Sequence, residues 1–424
     1  MSTVCVQLGQ CGNQLGYSFF NSLYQETTRN GPGFGNAVFN SFFEDNGGKP
    51  QARAVLIDME PKVVNACLNK EKNWKFNERS VFCQQEGSGN NWAFGYNVHG
   101  SKYRDVILDK VRKEGEKCDI LRSMMLLLSL AGGTGSGVGA SVAESISEEL
   151  QVPLLGAVVW PYSFGEVILQ NYNTALTLAH LIEATDGLII FQNDWLHYTA
   201  VNCLSVNSPD FTHMNGVGAS ALSSIFAPVF PSGVSSSSSQ YAQNPLQKVL
   251  SNLCSLPGYP FLNVVTEPIE SASSREFSND SWATLVKRCA QMQVSNTQAP
   301  NINWSVHSDS PSRNKTVSSV AVLRGRECAS ADTSQLKFQE NFHCFKYAEF
   351  RSELEFAKYE RKCTLISNSQ AILHPLDTLV DKTFEMSKTG AYLHHYNKFG
   401  IENNHLLEFA FPSLEQVIFN YKNI

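Results

Sequence analysis

At 424 residues the chain is longer than one hydrophobic core serves, so two or three domains are expected. A net charge of −6 with no basic run excludes a general attraction to nucleic acid. No apolar run approaches the ~20 residues that span a membrane, and no basic-apolar leader precedes the first strand; the expectation is a soluble, intracellular protein without nucleic-acid or membrane partners.

In chain order, the apolar run Val4–Leu8 reads as a strand, followed by Gly9-Gln10-Cys11-Gly12 and an amphipathic stretch near 10–25. A second strand over 53–57 ends in Asp58 and Glu60 before Pro61. The turn Gly87-Ser-Gly-Asn-Asn91 precedes a helix over 102–116. The run 124–130 is too short for a membrane and too continuous for an amphipathic helix, so it reads as a strand buried on both faces. Ala131-Gly-Gly-Thr-Gly-Ser-Gly137 follows, and then Val138, Val142, Ile146 and Leu150 recur every fourth residue as a helix. Strands over 154–160 and 187–191 flank a helix over 170–183. This alternation is that of a doubly wound, Rossmann-like α/β domain over residues 1–195.

A long helix is expected over 211–226, and the serine run in 231–240 reads as a solvated loop. Strands over 262–265, 320–323 and 363–366 indicate a second α/β domain, placed with the central helix in 196–375; Ser295–Ser319 reads as a polar connection within it. Helices over 376–389 and 406–420 complete a helical hairpin in 376–424, which ends at Asn423-Ile424 without an acidic tail. Eleven cysteines, scattered singly and without a Cys-x-x-Cys pair, read as reduced, mostly buried thiols. The histidines offer no His-Glu-x-x-His, and adjacent His394 and His395 are expected on different helix faces.

The chemistry lies in the turns that follow strands. A glycine loop opening a helix leaves backbone N–H groups free to approach phosphate, with the positive helix end behind them. Packing alone explains one such turn about as well. A P-loop is excluded because the only Gly-Lys, Gly48-Lys49, precedes Pro50. Gly135-x-Gly137-x-x-Ala140 matches the dinucleotide fingerprint loosely, but no ribose-binding acid follows the next strand. Ser136 is no hydrolase nucleophile, since Thr134 stands where Gly-x-Ser-x-Gly requires glycine. Asp58 and Glu60 could hold Mg²⁺ through its waters, and three small-residue turns after strands in one unit favour a nucleotide.

Gly9-Gln-Cys-Gly-Asn-Gln14, Ile57-Asp-Met-Glu-Pro61, Gly87-Ser-Gly-Asn-Asn-Trp-Ala93, Gly132-Gly-Thr-Gly-Ser-Gly137 and Tyr172-Asn173 together resemble the tubulin superfamily in order and spacing. Leu323-Arg-Gly-Arg326, Ile366-Ser-Asn368 and Tyr392-Leu-His-His-Tyr396 extend the likeness to nearly the whole chain. Within the superfamily, Val6–Cys11, Ala52–Pro61, Gln85–Trp92, Trp160-Pro-Tyr162 and Gly165-Glu-Val167 resemble the delta-tubulin branch. The resemblance implies a GTP-binding fold with a second α/β domain joined by a long central helix, and GTP/GDP with Mg²⁺ as cofactors. It makes Gly9, Gln10, Cys11 and Gln14 the first phosphate loop, Asp58 and Glu60 the Mg²⁺ side, and Gly89 with Asn90 the turn near the γ-phosphate. Ser129 and the loop Ala131, Gly132, Gly133, Thr134, Gly135, Ser136 and Gly137 form the main cradle, with Ala131 replacing a customary glycine. Glu166 is implied on the ribose, with neutral Gln170 where alpha- and beta-tubulins carry Glu. Asn193 and Asn215 fall on guanine-edge positions and Phe211 on that of the stacking tyrosine.

In this superfamily the next subunit along a filament completes the GTPase site from the loop after its central helix. Here that loop is Asn244–Val249, and Lys248 stands at the position of alpha-tubulin's activating Glu. A lysine cannot orient water as a carboxylate does, so no activation of a neighbour's GTP is expected, while an alpha-like partner could still act on this chain's own GTP. The segment Ile269–Asp280, implied in lateral contacts, is serine-rich. The delta resemblance implies a cytoplasmic cytoskeletal protein of centrioles, basal bodies and the cilium base, partnered by other tubulins and centriole proteins. The alternative is a free-standing GTPase switch that regulates microtubule assembly.

Overall fold

Strand β1 (Ser2–Leu8) is buried along its whole length, and Gly9, at φ +68°, turns the chain directly into α1 (Gly9–Arg29). A Cβ on Gly12 would lie 2.0 Å from the Leu127 carbonyl oxygen, so glycine alone lets α1 settle this close to the sheet. After α2 (Gly31–Phe42) come β2 (Phe43–Glu44), β3 (Gln51–Ala52), β4 (Ala54–Asp58), α3 (Pro61–Asn69), β5 (Lys75–Phe76) and β6 (Val81–Cys83). The first unit continues with α4 (Ser101–Glu116), β7 (Leu121–Ser129), α5 (Gly139–Leu150), β8 (Leu154–Trp160), α6 (Gln170–Ala184), β9 (Gly187–Gln192) and α7 (Asn193–Asn202). This computed structural model describes residues 2–45, 47–70, 73–165, 167–230, 245–278, 280–338, 346–402 and 405–424. The serine run expected as a loop lies outside the described residues.

Helix α8 spans Phe211–Phe226, as its pattern predicts, and Asp210 caps it by accepting from His213 N–H at 3.0 Å. Beyond it lie α9 (Pro245–Leu253), β10 (Phe261–Glu267), α10 (Ala272–Arg275), α11 (Trp282–Ser295), β11 (Thr316–Gly325), β12 (Lys346–Ser352) and β13 (Arg361–Ser369). Helices α12 (Leu373–Lys388), α13 (His394–Asn397) and α14 (Phe411–Lys422) end the chain.

Ten strands form one sheet in the order β12-β11-β13-β10-β9-β8-β7-β1-β4-β6. Pairs from β6 to β10 are parallel, whereas β13 runs antiparallel to both β10 and β11. The sheet does not break near residue 195, because Phe261↔Leu188 and Leu262↔Ile189 join β10 to β9. Side-chain alternation sends Val4, Val6 and Leu8 into the core under α4, α5 and α6, and Cys5 into the core under α1 and α8. A third core packs α11 against β10, β11 and β13.

Three local differences from the sequence pattern have physical causes. Thr316–Ser319, expected as polar connection, are the buried start of β11, where a ladder satisfies the backbone and Thr316 Oγ1 accepts from Gln293 at 3.1 Å. The last helix is divided into a π-turn over Leu406–Ala410 and α14, with Pro412 in its first turn lacking the N–H that would continue the ladder. His394 and His395 do not diverge, since α13 is a single turn and their rings lie 4.1 Å apart. The described cysteines are free thiols and none is exposed.

The two α/β units are bolted together at the end of α8. Arg324, 1% exposed on β11, donates to the Ser224 carbonyl at 2.7 Å, the Pro228 carbonyl at 3.1 Å and the Ala227 carbonyl, so one guanidinium serves one acceptor in the last turn of the central helix and two just beyond its end.

Candidate nucleotide-binding site

The ends of β1, β4, β7 and β8 open onto one cavity of about 480 Å³, on the carboxyl edge of a parallel sheet, where such folds bind ligands. Gly9, Gln10, Cys11, Gln14, Asp58, Glu60, Asn90, Ser129, Ala131, Gly132, Gly133, Thr134, Gly135, Gln170, Asn193, Phe211 and Asn215 all line it. The first loop and the 131–137 loop meet backbone to backbone, since a Cβ on Gly9 would sit 2.9 Å from Gly135 N. Asn13, fully buried, donates to the Gly9 carbonyl at 2.8 Å and the Ile57 carbonyl at 3.2 Å, fixing the first loop to β4.

The helix expected from Val138 begins instead with a π-turn over Thr134–Val138, and α5 follows from Gly139. Ala131 keeps its N–H but donates it to Ser129 Oγ at 3.3 Å, and the Gly132 and Gly133 N–H groups have no backbone acceptor among the described residues. A Cβ on Gly132 would find only Asn90 Oδ1, at 3.8 Å, so this residue faces the cavity; one on Gly133 would press within 2.7 Å of Ser88. Ser136 and Gly137 do not line the cavity. The Ser136 hydroxyl turns inward to the Gly132 carbonyl, and Gly137 packs where a Cβ would meet the Trp92 carbonyl at 2.3 Å. Gly89 also falls outside the lining; at φ +57° its part is to shape the turn that presents Asn90. Glu166 lies outside the described residues.

At the opposite end of the cavity, Phe211 leaves 49% of its surface exposed at the start of α8, and Asn215 is buried one turn later. A flat base over the Phe211 ring would cover that apolar surface, with the Asn193 and Asn215 amides free to donate and accept at its edge. Gln170 lines the cavity while its Nε2 donates to the Tyr162 carbonyl at 3.0 Å. Burial pushes the Asp58 carboxyl up to about 6, and pushes the Cys11 thiol up to about 12, so the thiol is neutral. Lys248 is no part of this cavity; it is exposed on α9, its ammonium 5.7 Å from the Phe350 ring.

Two contributors escaped the sequence reading. Lys62, one residue after the Asp58–Pro61 motif, is the one cation among the described lining residues; its place beside the acidic loop was the available signal. Asn173 was visible only as a motif. Its amide donates to the Asn90 carbonyl at 2.9 Å and the Ala131 carbonyl at 2.7 Å, while Oδ1 accepts from Trp92 N–H at 3.0 Å and from the Tyr396 hydroxyl at 2.6 Å. The donor set fits a polyphosphate: unpaired backbone N–H groups, a cradle that glycine keeps open, one cation, and two carboxylates on one side.

Fold and cavity are those of a nucleotide-binding protein. Residues 2–200 match the Tubulin/FtsZ family, GTPase domain. Over the whole of both chains the protein is 38% identical to the tubulin delta chain of Canis lupus familiaris, and 37% identical to those of Macaca fascicularis and Homo sapiens. The chain belongs to the tubulin family and is a GTP-binding cytoskeletal protein. Among the described residues no helix is long and apolar enough to cross a membrane.

Proposed function

We propose that the chain is a GTP-holding tubulin subunit acting in the assembly or maintenance of centriolar and basal-body microtubules, and hence in cilium formation. The observation that carries this reading is the cavity that joins the open Gly132 cradle to the Phe211 and Asn215 pair, in a chain alike over its full length to tubulin delta chains. Gly9, Gln10, Gly132 and Gly133 hold the phosphates, Asn193 and Asn215 read guanine, and other tubulins are the partners. Asp58 and Glu60 hold Mg²⁺ through its waters, where the ion neutralises phosphate charge. Hydrolysis by the lone subunit is slow or absent, and an alpha-like neighbour supplies the missing carboxylate. Lys248 withholds that service from the subunit on the other side.

The test is to identify the nucleotide that co-purifies with the protein and to follow its hydrolysis with and without alpha/beta-tubulin. Guanine nucleotide, turned over only with the partner, is expected. Rapid turnover by the monomer would favour a free-standing switch, and bound NAD would overturn both readings.

A pH dependence follows from Asp58. Its carboxyl titrates near 6 in the folded chain against an ordinary 3.8, because burial disfavours the charge. Without ligand, this group's penalty develops as pH rises from 3.8 to about 6, so its contribution to stability improves on acidification from neutral. Mg²⁺ needs the carboxylate, so Mg-GTP affinity is expected to fall about tenfold per pH unit below that midpoint. Calorimetric titration across this range should show the fall in the natural protein and a shallower one in Asp58→Asn, where only the ionisation of the nucleotide phosphate at about pH 6 remains.

A further inference from the structure

Two buried side chains that do not line the cavity reach it through a third. Ser88 and His99 are 4% and 2% exposed. The Ser88 hydroxyl lies 3.0 Å from His99 Nδ1 and 3.0 Å from the Thr134 hydroxyl, and Thr134 is a lining residue of the phosphate loop. The three groups bridge two π-turns, Phe94–Gly100 holding His99 and Thr134–Val138 opening with Thr134. These turns pack with no side chain between them: a Cβ on Gly95 would lie 2.2 Å from the Gly133 carbonyl oxygen, and one on Gly137 2.3 Å from that of Trp92. π-turns are rare and cluster at functional positions.

We propose that His99 and Ser88 are positioning residues, a hydrogen-bond relay that aims the Thr134 hydroxyl at the terminal phosphate and thereby makes the site prefer a triphosphate to a diphosphate. The proposal rests on the reading of the cavity as a GTP site, in which the Ser88–Asn91 turn covers the γ-phosphate side. A hydroxyl beside an anionic oxygen serves it only by donating. If Thr134 donates into the cavity, its oxygen accepts from Ser88. Ser88, having given its proton, accepts from His99 Nδ1–H. The chain of donors therefore runs one way, from imidazole to phosphate, and only an N–H at Nδ1 completes it. Burial, with Lys102 on the next helix, lowers the basicity of His99 while Glu86 opposes this. With a neutral ring, the single N–H must be committed to one nitrogen. A terminal phosphate selects the Nδ1 tautomer, and a diphosphate leaves Thr134 without a charged acceptor.

The test compares GTP and GDP dissociation constants, by titration of the nucleotide-free full chain, for the natural protein and three variants. Ser88→Ala removes the middle of the relay, and His99→Phe keeps a ring but no donor. His99→Asn restores an N–H near the Nδ1 position. The first two are expected to bind GTP about tenfold more weakly, the cost of one hydrogen bond to a charged group, with GDP within about twofold; His99→Asn recovers GTP binding. Equal weakening of GTP and GDP, or no recovery with His99→Asn, would overturn the relay, because a purely structural role predicts both. Unchanged GTP preference in Ser88→Ala, the variant least disturbing to the fold, overturns it as well. Failure of the natural protein to bind either nucleotide would overturn the site reading together with the relay.

Discussion

Asn173→Ala is expected to abolish measurable GTP binding and to cost the fold about 3–5 kcal/mol, because it removes a hydrogen-bond partner from four polar groups at once, of which the Tyr396 hydroxyl retains the Leu169 carbonyl. The side chain is fully buried in α6 and holds the Asn90 and Ala131 carbonyls through its amide nitrogen, Trp92 N–H and the Tyr396 hydroxyl through its oxygen. Two of these partners sit in loops that line the cavity, so their release lets the γ-phosphate turn and the main cradle drift apart. Asn173→Asp separates the two ends of the side chain. It keeps the acceptor for Trp92 and Tyr396 but sets a second oxygen against two carbonyls, so binding should be lost there too. Thermal melts and calorimetric titration with GTP check both variants; affinity within about twofold of the natural protein would refute the role, one hydrogen bond alone being worth more.

Arg324→Met is the second large effect, and it acts between the domains. Methionine approximates the length of the buried arm and removes the donors to Ser224, Ala227 and Pro228, leaving three acceptors at the end of α8 unpaired. Buried Glu26, whose charge favours the Arg324 cation, loses that support as well. Burial lowers the guanidinium to about 9, so it is still charged near neutrality and its removal is a real loss of charge. A destabilisation of about 3–5 kcal/mol is expected, of the size found when one partner of a buried charged group is deleted. Urea unfolding followed separately by tryptophan fluorescence and by circular dichroism should give two displaced transitions in the variant. Coincident curves at the natural midpoint would show that the bolt does not couple the units.

The strand-loop-helix logic of the first unit was legible because its strands are continuous apolar runs and its loops are glycine-rich. Phe211–Phe226 was legible because Asp210 precedes an apolar period that stops before Pro228. The π-turns at 94–100 and 134–138 were not, since a slip from i+4 to i+5 bonding leaves no mark on hydrophobic periodicity. Thr316–Ser319 misled because hydroxyl residues look solvated, whereas here they lie buried in a ladder with Ser367, Asn368 and Ser369. At the site, most residues beside the glycine motifs line the cavity, whereas Ser136 and Gly137 face inward, a difference in direction that adjacency in sequence does not reveal. Lys62 carries no motif of its own although it adjoins the acidic loop, and the part of the Ser88–His99 pair depends on Thr134, 46 residues on, meeting Ser88.

The Tyr396 hydroxyl that completes the environment of Asn173 belongs to a segment also held by Asn91, which donates to the His395 carbonyl at 2.8 Å, and by Asn97, which donates to the Phe399 carbonyl at 2.8 Å. During synthesis, therefore, the glycine loops emerge from the ribosome long before the residues that brace them. Nascent chains fold domain by domain from the amino end, but these braces on the pocket are not in place until residues 395–399 have been made. The loops that line the cavity are therefore made early and braced late.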